Sequence, residues 1–195
     1  MGASVTFHDR IGPERLTVVV SPLSLEQAHA VLERAIAEAL RTTLGPRQVE
    51  VELTLCADPE MSRLNFDHMG ERGPTDVLSF PLHDWELEGP HAHLADDGPM
   101  AASGGLLLGD VVIDVDQATR QAVDGGWSPM EELALLAIHG ALHLVGHDHA
   151  ELDEERLMRT AERAALAALH RHHPEIAWQP GSLFDRAGHA VTTGS

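Results

Sequence analysis

The stretch "SPMEELALLAIHGALHLVG" runs from Ser128 to Gly146. Ser128 suits an N-cap, Pro129 suits the first helical position because its missing N–H is not needed there, and Glu131 completes a capping box. Leucine, alanine and isoleucine then fill nearly every face. That pattern predicts a helix buried on all sides rather than one lying on a surface. Gly146 tolerates the left-handed conformation that ends such a helix. A fully buried helix needs strands and other helices packed around it, and the flanking sequence has to supply them.

Upstream, "LLLGDVVIDV" (Leu106 to Val115) is a continuous apolar run interrupted by Gly109 and Asp110 and reads as a buried strand. A helix from about Asp116 to Val123 follows and stops at Gly125 and Gly126. Downstream, "ELDEERLMRTAERAALAALHRHH" predicts an amphipathic helix with Leu157, Met158, Ala161, Ala165, Ala168 and Leu169 on its apolar side, ended by Pro174. Nearer the start, the β-branched "RLTVVV" (Arg15 to Val20) reads as a strand. Ser24 with Gln27 opens a helix that Gly45 and Pro46 close. Gln48 to Cys56 alternates as a strand, Asp58 and Pro59 cap a short helix, and "TDVLSF" (Thr75 to Phe80) is a third strand stopped by Pro81. Residues 82–105 are rich in Gly, Pro, Asp and His without a clear period and read as a long inserted surface loop carrying His91 and His93. The expectation is an α+β single domain over 1–173, with a small mixed sheet of about four strands against several helices and a loosely ordered tail over 174–195.

Composition narrows the function classes. The 195 residues carry 13 basic against 31 acidic side chains, a net charge of −18, and every basic residue is arginine. Such a chain is no general nucleic-acid-coating surface, because that mode rests on many phosphate contacts, but a local basic groove is not excluded. Cys56 is the only cysteine, which rules out an intramolecular disulfide and reads as a small buried hydrophobe. With no leader and no apolar run long enough for a bilayer, the expectation is a cytoplasmic protein without a membrane partner. The opening "MGASVT" matches the myristoylation pattern through Gly2 and Thr6, too short a match to carry weight.

The chemistry concentrates in "HGALHLVGHDH", His139 to His149. His139 and His143 stand four apart on the buried helix and point to one side. After the Gly146 stop the chain turns back, and His149 can reach the same ion from a third direction. Three neutral imidazoles leave a tetrahedral cation one open position, the mark of a catalytic rather than a structural zinc site. The spacing matches the metal-binding skeleton of the zinc-protease pattern H-E-x-x-H-x-x-G-x-x-H, but Gly140 stands where that pattern has its general base. His147 reads as a neighbour facing away from the ion, either supporting a ligand from behind or standing in solvent. Asp148 reads either as a carboxylate orienting a ligand ring or as a cap of the next helix.

These residues resemble the H-G-x-L-H-L-x-G-Y-D-H signature of the YbeY family of bacterial rRNA maturation factors. "MSRLNFDHMGERGPTDVLSFP" (Met61 to Pro81) is similar to that family's L-N-x-x-Y-R-G-x-x-x-P-T-D-V-L-S-F-P segment, and "LGDVVI" (Leu108 to Ile113) to its L-G-D-I strand. The resemblance covers about Val51 to Ala161. It implies an α+β, zinc-dependent, single-strand-specific endoribonuclease with one Zn2+ on His139, His143 and His149. It also implies action on ribosomal RNA, chiefly the 3′ end of the 16S species, in ribosome biogenesis and quality control, with single-stranded RNA and the small subunit or its proteins as partners. Two positions depart from the family pattern. His147 replaces a tyrosine, and His68-Met69 replace a Tyr-Arg pair whose guanidinium could clamp a phosphate; Arg63 and Arg72 lie nearby in sequence. No glutamate of the H-E-x-x-H type is available, so the base is unassigned, with Asp110 and Asp148 as candidates, while Asp76 reads as a loop anchor. The rival readings are a metalloprotease-like hydrolase, which Gly140 disfavours, and a non-catalytic, metal-stabilised ribosome-assembly factor, which Met69 favours.

Overall fold

In the computed structural model, which describes residues 3–45, 47–88, 91–94, 100–101, 104–148 and 151–174, the apolar run at Leu106 is one of the two inner strands of a four-stranded sheet. β1 (Ala3–Asp9), β2 (Val49–Cys56) and β6 (Leu106–Asp114) run parallel, and β3 (Val77–Pro81) pairs antiparallel with β6, giving the order β1-β2-β6-β3. One residue bulges in β6, so that Glu50 faces Leu107 while Val51 faces Gly109. Gly109 has φ +137°, and a Cβ there would run into the Phe80 carbonyl of β3, so both backbone and space require glycine.

The helices are α1 (Pro13–Val19), α2 (Leu25–Leu44), α3 (Asp58–Met69), α4 (Val115–Gly125), α5 (Pro129–His143) and α6 (Leu152–His172). Val51, Leu53, Leu55, Val111 and Ile113 point from one face of the sheet into the main core with α2, α5 and α6. α3 covers part of the other face, closing a smaller cluster of Cys56, Met61, Leu78 and Val112. Burial there pushes the Cys56 thiol up to about 12, so it packs as an apolar group. Both expected capping boxes form: Ser24 with Gln27 opens α2, and Ser128 with Glu131 opens α5. α5 is buried over most of its length, as the all-round apolar pattern requires.

Three expectations are corrected. "RLTVVV" is the end of α1, not a strand: Pro13 pre-sets the first turn, and Leu16 and Val20, four apart, are both 1% exposed while Val18 stands out at 76%. The β-branched side chains are read by their helical spacing, which overrides strand propensity. The first strand is β1, where Ala3, Val5 and Phe7 alternate toward the core. The 82–105 segment is not all loop: β4 (Trp85–Glu88) and β5 (His91–Leu94) pair antiparallel, Trp85 opposite Leu94 and Glu88 opposite His91. His91 and His93 therefore lie on a strand. α3 takes Ala57 rather than Asp58 as its N-cap, with Asp58 favourably placed in the first turn. Residues 175–195 of the expected tail lie outside the described residues.

Candidate metal centre

α5 presents its two histidines where it leaves the core. Gly140, between them, faces the sheet: a Cβ there would come within 2.5 Å of Val111 Cγ1 and 3.1 Å of Ser79 Oγ, and Ser79 donates to the Gly140 carbonyl at 3.1 Å. With that face pressed on the sheet, His139 and His143 are turned outward, each half-buried. Their Nε2 atoms approach to 3.1 Å, with the rings nearly perpendicular at 76°.

A second helix fixes one of these rings. Glu162 of α6 accepts a hydrogen bond from His139 Nδ1 at 2.7 Å, which places the proton on Nδ1 and leaves the Nε2 lone pair facing His143. This is the carboxylate–imidazole pairing that orients metal-bound histidines. Two nitrogens bound to one tetrahedral zinc at about 2.0–2.1 Å lie about 3.3–3.4 Å apart. The observed separation fits that bite without backbone movement, and the donor chemistry suits a first-row cation. Glu162 was missed by sequence reasoning, though a signal exists: it interrupts the apolar stripe Met158–Ala165–Leu169, all at or below 2% exposure.

α5 ends as expected. Gly146 adopts φ +86°, and the His147 N–H closes the turn on the Leu142 carbonyl at 3.1 Å. His149, the third expected ligand, lies outside the described residues. His147 does not face solvent: it is 3% exposed, and its Nε2 sits 3.2 Å from Thr43 Oγ1 at the end of α2. Burial holds its pKa below the usual imidazole range, against the opposing pull of Glu162, so the ring is neutral at pH 7. Asp148 does not cap α6; Glu151 does, with Glu154.

The other sequence candidates separate from the histidines. Asp110 emerges on the sheet face opposite the one that packs on α5, beside Glu52; burial, then Glu52, raises its pKa. It is therefore removed from the reach a base would need. Asp76 anchors its loop: its carboxylate accepts from the Val77 N–H at 2.9 Å and from Gln121 at 3.0 Å. His68 packs edge-on against Phe80, Met69 is 52% exposed, and Arg63 pairs with Asp67 on α3 itself. Asp58, Asp114 and Asp116 form an acidic group that sequence reading had not singled out, but Arg120 clamps Asp58 and Arg15 pairs with Asp116.

A model of the family described as Endoribonuclease YbeY matches residues 19–170. The chain belongs to the YbeY family. Proteins named Endoribonuclease YbeY are 39% identical over 139 residues in Desulfitobacterium hafniense (71% of this chain, 83% of that protein) and 40% identical over 136 residues in Geobacillus kaustophilus (70% and 83%). The one from Beutenbergia cavernae is 43% identical over 147 residues (75% and 90%). A solution structure from Thermotoga maritima superposes with a TM-score of 0.46 at 21% identity, covering 91% of this chain and 99% of that one. Within this YbeY chain, the glycine next to the first histidine is a packing requirement of α5 on the sheet. A glutamate at 140 would point into Val111, so the peptidase arrangement has no room here. Among the described residues no helix is long and apolar enough to cross a membrane.

Proposed function

We propose that the chain is a zinc-dependent, single-strand-specific endoribonuclease that matures the 3′ end of 16S rRNA and acts in ribosome biogenesis and quality control, with His139, His143 and His149 holding the ion. Family membership supports the endoribonuclease class. The observation that carries the metal reading is the pair of Nε2 atoms 3.1 Å apart with Glu162 behind one of them. When bound, zinc supplies Lewis acidity toward a phosphodiester and its hydrolytic water. The chain's own residues do the rest. Glu162 keeps His139 in one tautomer, Ser79 and Val111 hold the helix that aims both rings, and the half-buried rings remain open to solvent on one side.

A charge of −18 opposes naked RNA, so the reading includes delivery by the small ribosomal subunit or a protein bound to it, in the cytoplasm. The test is cleavage of a single-stranded rRNA fragment at low salt by wild type and His143→Ala, with metal content measured on both. Wild type is expected to carry about one zinc per chain and to cleave, and the variant to lose both. Equal cleavage would overturn the reading. A second reading, a metal-stabilised assembly factor without catalysis, draws on exposed Met69 at the family's arginine position. Cleavage by the wild type, with Met69 in place, would reject it.

A further inference from the structure

Most of the ion-paired guanidinium groups of this chain have a carboxylate to themselves. Arg10, Arg15, Arg63, Arg120, Arg156 and Arg159 each pair with an acid: Glu60, Asp116, Asp67, Asp58, Asp153 and Glu155. One place breaks the pattern. Along the second half of α2 and just past its end, Arg34, Arg41 and Arg47 line a pocket of about 160 Å3 whose one lining carboxylate, Glu38, pairs with Arg34 and Arg41. Ala37, Leu44 and Val49 line it with apolar surface.

Glu38 is 2% exposed and paired with both Arg34 and Arg41. Burial opposes its ionisation, but the Arg41 hydrogen bond and the charges of Arg34 and Arg41 outweigh burial and keep it charged. The pair of arginines is thereby held in place rather than neutralised, since three cations face one anion. Arg47 is exposed and has no hydrogen-bond or ion-pair partner among the described residues. The Arg34 Nε–H is buried without an acceptor. His172, at the end of α6, joins the same group through Arg34 and Glu38. In a chain of −18, this is a local surplus of fork-shaped donors around a recess with room for one phosphate.

The pocket also lies toward the end of α2 that meets the end of the histidine helix. It opens where β1 and β2 begin, at Ala3 and Val49. Thr43, two residues past Arg41 on α2, holds His147, four residues past His143. The ends of α2 and α5 thus meet, and the basic recess lies toward that end of α2.

We propose that the Arg34–Arg41–Arg47 pocket binds a backbone phosphate of single-stranded RNA away from the cleaved bond, anchoring substrate on an otherwise repulsive surface. This rests on the endoribonuclease reading for the identity of the ligand. The test uses a fluorescently labelled 2′-O-methyl single-stranded RNA, which resists cleavage, and reads anisotropy over a range of salt. Arg47→Glu, at an exposed position, is expected to weaken binding several-fold and to flatten the dependence of log Kd on log salt by about 0.7 for each phosphate no longer neutralised. Glu38→Gln removes the one opposing charge and is expected to act in the reverse direction, tightening binding at low salt; circular dichroism confirms that both variants are folded. Unchanged affinity and slope in both variants would overturn the proposal, whether or not His143→Ala abolishes cleavage. Displacement of the RNA by inorganic phosphate at matched ionic strength, with no response to Arg47→Glu, would put the phosphate contact elsewhere on the chain and overturn it equally. If the variants shift RNA affinity as expected but wild type cuts no RNA, the anchoring site stands and the catalytic reading falls.

Discussion

Removing the carboxylate behind His139 separates a metal centre from a chance pair of histidines. In Glu162→Ala the 2.7 Å hydrogen bond to Nδ1 is lost, and the ring is freed both to rotate and to place its proton on Nε2, where it blocks coordination. Loss of such a supporting group costs roughly 10- to 100-fold in metal affinity, or about 1.4–2.7 kcal/mol. The ligating nitrogens themselves remain, so binding should weaken rather than vanish. Glu162→Gln keeps an acceptor without the charge and should fall between wild type and alanine. The assay is competition for zinc against a chromophoric chelator at pH 7, with His139→Ala as the limit of full loss. If Glu162→Ala and wild type held zinc equally while His139→Ala did not, Glu162 would have no part in the site. If all three held it equally, the imidazole pair would not be the site at all.

Gly140→Ala should destabilise the fold by roughly 1–3 kcal/mol, because its methyl meets Val111 at 2.5 Å; an unchanged melting temperature would contradict the packing described. Gly109→Ala should cost more than about 2 kcal/mol in denaturant titrations, since it adds both a disfavoured φ and a collision with the Phe80 carbonyl. Asp114 is fully buried, and burial first, with Asp58 beside it, raises its carboxyl to about 7. The folded chain therefore holds this proton more tightly than the unfolded one. The contribution is fully present below about pH 4 and is lost as pH rises toward and through 7. Asp114→Asn keeps the oxygen that caps α4 and should flatten that decline; superimposable melting-temperature profiles from pH 4 to 8 would refute the assignment.

What the sequence made legible is what local rules govern. Ser24 with Gln27, Ser128 with Glu131, and Gly146 are each satisfied within a turn of themselves, so the helix ends they mark are where expected. The His139–His143 approach follows from helical spacing alone. Apart from the one-residue shift of the α3 cap, the misreadings needed a distant partner. Whether "RLTVVV" is strand or helix depends on which of its residues meet the core, and β1 takes its place by pairing with β2 more than forty residues on. The β4–β5 ribbon is a weak alternation that only pairing makes a strand. Glu162 belongs to the site through a hydrogen bond spanning 23 residues, and His147 is drawn inward by Thr43, 104 residues earlier.

The burial of α5 on nearly all sides has a consequence for selectivity. A flexible loop can open or close its grip to suit whichever ion arrives. Here the spacing of the two nitrogens is set by a rod wedged between sheet and helices, and widening it means shifting Gly140 against Val111. In the proposed metal centre a large oxygen-seeking ion such as calcium would gain nothing from that rigid nitrogen bite, whereas a small one would meet a grip already shaped before it arrives.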